Sequence, residues 1–540
     1  MIAPSDEDKS PSKSNRLKKS ITRVINEFRV LESEFVELAS QYLGFPYKNL
    51  VKSTQYLLPY TILIKSIEIN NEIFEVNSRS NKSAVSIRIA HNWLDFSALC
   101  RSENIADLIR DGEFKLTPTL EPFREPDKIF IGKRLIYGII WIKTIFQMIL
   151  RFEIRSIGFV SDIRRMCGLK SVFNPHVLIL NPWEDNKHYD ELSSASVARR
   201  RLNFFKIHKG GSYYSHLTWI LFFLMPISSV EGFKSLHQKS NRYLSKYKLG
   251  SDINLFALTS HFSSDLLRMI RFGCWATNRP YSFNLNVAQH GGQFGTQEIA
   301  ITEWMDLYMA DTYHVLGDCK YLGVQGGEYT CSIAEKLGLS VRSTRLQRLP
   351  DQKTLCGKIS SQRLGVLIVL PTAPGRNQHF ITCGLVASNV DVFYARIAQL
   401  LKLLAPEWSI KVKLSPKKFG VTFEDTYGPS EFGYLSVDGT VIDQILKSEI
   451  AIITYDGTAV LEALRTGVPF LWVIDQDFYP LRQSIIPNLK KIENSGVVHF
   501  SFQSVARFLQ DCDDVDRWWS ADRTCESITF LKSTLGTMLE

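Results

Sequence analysis

The second half of the chain shows the clearest rhythm of apolar and polar positions. GVLIVLPT (365–372) is an apolar run closed by Pro and Thr, and NVDVFYARIAQLLKLL (389–404) has its apolar residues at helical spacing. SIKVKLSP (409–416) alternates as a strand does. IDQILKSEIAIITYDGTAVLEALRTGVPFLWV (442–473) predicts helix, strand, turn, helix, strand. Strands that alternate with helices imply βαβ units and a parallel sheet. In the first half, HVLILNPWED (176–185), INLFALTS (253–260) and FNLNVAQH (283–290) begin as strands and end in polar residues. The stretch from about 20 to 170 follows no clear period. SVARFLQDCDDVDRWWSADRTCESITFLKSTL (504–535) predicts two helices.

Two longer apolar runs change the picture only if they cross a membrane. LIYGIIWIKTIFQMIL (135–150) is broken by Lys143 and Gln147, and LTWILFFLMPI (217–227) is short. A spanning helix needs about 20 apolar residues, so both are expected to be buried segments. The resulting division is a disordered polar tail at 1–20, an α/β domain at 21–345 and a polar linker at 346–363. A second Rossmann-like domain follows at 364–510, and helices at 511–540 are expected to pack back on the first domain.

Composition narrows the classes. A chain of 540 residues with 45% hydrophobic and 22% charged residues suits two globular domains. Nine scattered cysteines form no CxxC pair, which argues against a zinc site or a disulfide framework and suits a reducing cytosol. The N-terminus lacks the apolar core of a secretion signal. The net charge is +9, with clusters at Arg199–Arg200–Arg201–Phe204–Phe205–Lys206 and at Lys411–Lys413–Lys417–Lys418. A solvated face, an anionic membrane surface and anionic ligands all explain the first cluster. No nucleic-acid module is recognisable, so nucleic acid is not an expected partner.

Candidate chemistry gathers where strands end. In IITYDGTAVLEAL (452–464) a buried strand runs into Tyr455, Asp456, Gly457 and Thr458, and a helix starts there. Asp456 can cap that helix, and the unpaired N–H groups of its first turn, at Gly457 and Thr458, suit a phosphate. Glu462, one turn on, can bind a hydroxyl. A plain helix cap explains the same residues. Thr372, Gly375, Arg376 and Asn377 follow another strand, where Arg376 can grip a phosphate through two donors. Lys413 stands at the mouth of a third.

AQHGGQFG (288–295) sets His290 among Gly291, Gly292 and Gly295, next to Gln289. Glycines crowded around a polar group allow unusual backbone or a close approach. His290 is a candidate general base, because imidazole titrates near neutrality. Glu303, Asp306 and Asp311 follow and are candidates to orient it. No metal-ligand cluster is apparent, and no cofactor or metal is expected.

The order of these motifs resembles that of transferases encoded in bacterial surface-polysaccharide (O-antigen-type) gene clusters. MPISSVEGFKSL (225–236) is similar to their "LEGF" stretch, AQHGGQFG to QHGG-x-[YF]-G, and MADTYHVLG (309–317) to an "AD-x-Y" segment. TYDGTAVLEALRTGVPFLW (454–472) resembles Y-x-GT-x-x-LEAL, and FYPLRQSIIPNLKKIENSGVVHF (478–500) resembles R-x-x-A-x-P…GI-x-H. The likeness spans about 225–515. More distantly the layout resembles the two-domain GT-B glycosyltransferases and the CDP-glycerol glycerophosphotransferases. Ser415-Pro416 stands where the latter carry His-Pro, and Leu316-Gly317-Asp318 replaces a tryptophan-rich end.

The resemblance implies an α/β chain of two Rossmann-like domains facing a cleft, with the acceptor on the first and the donor on the second. It implies transfer of a sugar, or a glycerophosphoryl-like group, from a nucleotide-activated donor to a glycan or lipid-linked acceptor. Gly457, Thr458 and Arg376 would hold phosphates, Lys413 would neutralise the leaving group, and His290 would deprotonate the acceptor. The expected location is cytoplasmic, with peripheral contact to the inner membrane left open. A nucleotide-sugar epimerase, or a non-catalytic GT-B-fold partner in polysaccharide assembly, are the alternatives.

Overall fold

The computed structural model describes residues 28, 30–45, 61, 86–87, 89, 115–116, 131–180, 194–208, 214–258, 267, 270–271, 282–288, 296, 310–315, 342–345, 365–372, 390–415, 421–479, 481, 483 and 485–535. The tail at 1–20 and the linker at 346–363 lie outside them.

The first sheet is built from Glu153–Gly158 (β1), Val177–Ile179 (β2), Lys248–Ala257 (β3), Ser282–Ala288 (β4), Thr312–Val315 (β5) and Arg342–Arg345 (β6). Its order is β2-β1-β3-β4-β5-β6, parallel throughout. Helices of this half include one at 30–43, and Ile131–Leu150 (α1), Val160–Cys167 (α2), Ser194–His208 (α3), His216–Leu224 (α4) and Phe233–Leu244 (α5). Order reverses between β1 and β3. There Gly158 is required by space, since a Cβ would sit 2.9 Å from the Phe256 carbonyl oxygen and 3.0 Å from Ile163.

The second sheet comprises Val366–Val369 (β7), Ile410–Lys413 (β8), Tyr434–Val437 (β9), Ile450–Ile453 (β10), Phe470–Val473 (β11) and Val498–His499 (β12). Its order is β9-β8-β7-β10-β11-β12, also all parallel. In chain order that is 3-2-1-4-5-6, the doubly wound Rossmann arrangement. β7, β10 and β11 are buried along their whole length, which is why they read as unbroken apolar runs. Val390–Leu404 (α6), Thr458–Thr466 (α7), Ile486–Glu493 (α8), Phe502–Asp511 (α9) and Asp522–Leu535 (α10) cover this sheet. Two Rossmann-like sheets are thus the architecture of the described residues, beside a short parallel pair, Ser86–Ile87 with Lys115–Leu116.

Three expectations are corrected. First, the terminal helices pack on the second half: α10 meets α7, and Leu531 and Leu535 join the second core. The Trp518 and Trp519 indoles donate to the Ser495 and Gly467 carbonyls at 2.7 and 3.0 Å. A third short helix, Val515–Trp519, lies between the two predicted.

Second, most of the described apolar residues of the 135–150 run are not buried, Ile140 excepted. The run forms α1, whose Ile139, Trp141, Ile142, Phe146, Ile149 and Leu150 are exposed. The other run does behave as expected: Thr218 to Leu224 of α4 are all buried. No helix among the described residues is long and apolar enough to cross a membrane.

Third, the basic cluster on α3 divides. Arg199, Arg200 and Lys206 are exposed, but Arg201 is fully buried. Its Nε and Nη2 donate to the two Glu231 carboxylate oxygens at 2.8 and 2.5 Å. Its Nη1 donates to the carbonyls of Phe222, Phe223 and Met225. Tyr42 adds a hydroxyl donor to Glu231 at 2.8 Å. The EGF motif is therefore structural. Glu231 pairs, Gly232 passes close to the Ile227 carbonyl, and Phe233 fills the core.

Removing one member of a buried ion pair costs about 3–5 kcal/mol, because the other charge is left uncompensated. Arg201→Met is expected to lower unfolding stability by that order, read from the shift in urea midpoint. His499, at the end of β12, is buried, with its ring nitrogens against the Gly496 carbonyl and the Ser504 hydroxyl. Burial pushes its pKa down from 6.5 to about 4, opposed by the Gly496 carbonyl. The unfolded chain then binds the extra proton between those values, so stability is full above about 6.5 and falls as pH drops towards 4, by up to about 3 kcal/mol. In His499→Gln that acid-side slope should flatten in pH-dependent urea melts.

Candidate functional site

The second sheet reverses its order between β7 and β10, and ligands of open α/β sheets bind outside the strand ends at such a point. The two strands are locked together there. Thr454, just past β10, donates both its N–H and its Oγ1 to the Val369 carbonyl, at 3.3 and 2.8 Å. Thr372 follows β7 and shares a 2.9 Å hydroxyl hydrogen bond with Ser415, which follows β8. Three strand ends therefore carry hydroxyl groups side by side.

Beyond Thr454 the chain turns into α7. Gly457, not Asp456, is the N-cap, and no side chain caps it. The positive end of the helix dipole thus faces the strand-end region without a side-chain acceptor at the cap. A Cβ on Gly457 would lie 2.6 Å from the Tyr455 ring, so the missing side chain lets that ring fold over the helix start. Along α7, Thr458, Glu462 and Arg465 are half-buried, while most of the residues between them are buried. Spacing of four and then three puts them in one stripe. Burial raises the Glu462 pKa, offset in part by Arg465.

Lys413 ends β8 and is buried, with its ammonium donating to the Leu414 carbonyl at 2.7 Å. Burial lowers its pKa, and the Asp438 carboxylate opposes the shift. The strand end thus holds a cation that a bound anion would return towards its ordinary pKa.

Asp456 is turned away from the cap. It is 1% exposed and accepts a hydrogen bond from the Thr296 hydroxyl, itself fully buried. Thr296 closes the sequence stretch QHGGQFGT that follows β4, so this bond joins a residue of the first half to the helix start of the second.

Thr372, Lys413, Tyr455, Asp456, Gly457, Thr458 and Glu462 are thus gathered at adjacent strand ends and on α7. Gln289, His290, Gly291, Gly292, Gly295, Glu303, Gly375 and Arg376 lie outside the described residues. Asp311 serves the sheet instead. Its carboxylate accepts from Arg271 Nη2 at 2.9 Å and from the Leu285 backbone N–H at 2.7 Å, fastening β5 to β4. Among the described residues no group of His, Cys, Asp or Glu is arranged to hold a metal. Sequence reasoning missed Thr296 and Arg465, and the contact that Ser415 makes. Arg465 was detectable as the i+7 partner of Thr458. Ser415 was marked by its place before Pro416 but not its bond to Thr372, and Thr296 carried no signal beyond polarity after a strand, because their partners are 43 and 160 residues away.

No curated protein sequence matches the chain. Among solved structures it is similar to an O-GlcNAc transferase mutant of Thermobaculum terrenum, at 11% identity over 90% of this chain and 80% of that one, with a TM-score of 0.34. It is also similar to Medicago truncatula UGT71G1 complexed with UDP-glucose, at 10% identity over 74% and 95%, with a TM-score of 0.30. Likeness at that level carries no argument about chemistry. The sequence model of the LIC12162 family transferases is another matter, because it matches residues 142–533. That span takes in both sheets, the EGF stretch, the QHGG turn and the YDGT helix start, and on it the chain belongs to the LIC12162 family of transferases.

Proposed function

We propose that this transferase moves a glycosyl group, or a glycerophosphoryl-like one, from a nucleotide-activated donor to a glycan or lipid-linked acceptor of a cell-surface polysaccharide, on the cytoplasmic side of the membrane. The observation that supports it most is the start of α7. A helix N-terminus with no side-chain cap stands at the switch point of a Rossmann sheet, beside a buried lysine, and its entry loop is tied to the other half through Asp456 and Thr296.

Each residue has a place in that chemistry. The backbone N–H groups of Gly457 and Thr458 bind donor phosphate, with Arg376 as a second anion grip. Lys413 meets the negative charge that grows on the departing phosphate. Glu462 takes a donor hydroxyl. Thr372 and Tyr455 line the same strand ends, and Asp456 positions the loop through Thr296. His290 takes the proton from an acceptor hydroxyl, with Glu303 to orient it, as that oxygen attacks the sugar carbon and the bond to the nucleoside diphosphate breaks, or, for a glycerophosphoryl-like donor, attacks the distal phosphorus and a nucleoside monophosphate leaves. Gln289 and the glycines 291, 292 and 295 give backbone access to the acceptor. Charge is handled by the helix and the cations, so no metal is required and the rate should survive EDTA.

The test is a thermal-shift panel of CMP, CDP, UDP, GDP, dTDP and ADP. A ligand at a hundredfold over its dissociation constant stabilises by about 2.7 kcal/mol. One nucleotide is expected to raise the wild-type melting temperature and to lose most of its effect with Thr458→Ala. His290→Ala should keep the shift and lose the transfer rate by about 100-fold or more. A panel without any shift, or transfer undiminished in His290→Ala, would sink the proposal. Thr296→Val keeps shape and removes the hydroxyl, leaving the buried Asp456 without that donor. A loss of about 1–3 kcal/mol is expected, seen as a lower melting temperature and at least a tenfold drop in kcat/KM.

A further inference from the structure

Helix α1 buries Ile140 against Ile163, Val172, Val177 and Ile179 but turns most of its described apolar residues outward. Its polar residues face the protein: Lys143 Nζ donates to the Val172 and Val177 carbonyls at 2.6 and 2.8 Å, and Gln147 Nε2 to the Pro175 and Val177 carbonyls at 2.7 and 2.9 Å. Those four bonds pin one face to the segment between α2 and β2. The opposite face carries Ile139, Ile142, Phe146, Ile149 and Leu150, all exposed, with Trp141 at its edge. A surface helix normally shows the reverse pattern. The short helix Leu169–Val172, reached through the Lys143–Val172 bond, is followed by exposed Phe173 and begins with exposed Leu169, so the apolar surface continues onto it.

Basic residues neighbour this surface along the chain, with Arg151 directly after Leu150, Lys170 directly after Leu169, and Arg164 and Arg165 on α2. Arg151, Arg164, Arg165 and Lys170 are exposed. From 131 to 176 the carboxylates are Glu153, hydrogen-bonded to Arg155, and Asp162, which is buried. Apolar residues with Trp and Phe on one face, bordered by arginine and lysine, match a helix that lies in a lipid interface and is drawn there by anionic headgroups. A second copy of the chain fits the charge less well. A two-fold contact would set the same basic residues against themselves.

We infer that α1 and the start of the Leu169–Val172 helix form a docking surface for an anionic lipid bilayer, on which the protein lies without crossing it. The inference is independent of the donor and of the transfer step.

Co-sedimentation of the full chain with vesicles tests it, using equal parts of phosphatidylglycerol and phosphatidylcholine against phosphatidylcholine alone. The wild type should bind the anionic vesicles and weaken as salt is raised. The F146Q/I149Q double variant should bind at least about tenfold more weakly while melting like the wild type. R164Q/R165Q keeps the apolar stripe and should also lose affinity, whereas V421Q, an exposed apolar site elsewhere, should not. Absence of wild-type binding, or undiminished binding by F146Q/I149Q, overturns the inference. So does a wild-type dimer that becomes a monomer in F146Q/I149Q, because a second copy would then cover the face.

Discussion

Two parallel strands cannot be joined by a tight turn, so every neighbouring pair in both sheets is closed by a longer crossover, and all the strands of a sheet end at one edge. That constraint decides where chemistry can be. Helices occupy the faces, the strands of the second sheet's centre are dry, and its polar residues gather at the strand ends. Thr372, Lys413, Ser415, Thr454 and Asp456 all fall there. Where the order reverses, between β7 and β10, lies the point at which open α/β sheets take their ligands.

A buried carboxylate gives this edge its link to the other half. Asp456 is out of water, and a buried charge is tolerated only with hydrogen bonds. Thr296 supplies one from the far side of the sequence. Since Asp456 is committed to that contact, Gly457 is left as the cap, and the helix start remains suited to an anion. The first half behaves in a similar way. Arg201 and Glu231 neutralise each other inside the protein, so a cluster that looked like a uniform basic surface contributes only its flanking residues to the outside.

The family match and the geometry meet at this edge. Membership of a transferase family states the reaction class, and the YDGT helix start lies at the place where a Rossmann sheet takes its ligand. α1 adds a surface of a different kind, remote in sequence from the strand-end loops and made by turning polar side chains inward.

Local patterning was enough to place β7, β8, β10 and β11 of the second sheet, because strands buried on both faces must be continuous apolar runs and the helices between them must be amphipathic, whereas β9 and β12 were not marked. Val366–Val369, Val390–Leu404, Ile410–Lys413, Ile450–Ile453 and Thr458–Thr466 lie within the stretches that pattern marks. The helix start at Gly457 was legible for the same local reason. Which charges are hidden, and which apolar residues are not, came from the folded chain. Arg201 looks like its neighbours until Glu231, 30 residues on, is folded against it. The 135–150 run looks like core until the carbonyls of 172–177 claim Lys143 and Gln147 and turn its apolar face outward. Asp456 looks like a cap until Thr296 arrives from 160 residues away. Periodicity reports how a segment coils; it does not report which partner reaches it, because that depends on contacts between residues far apart in the chain.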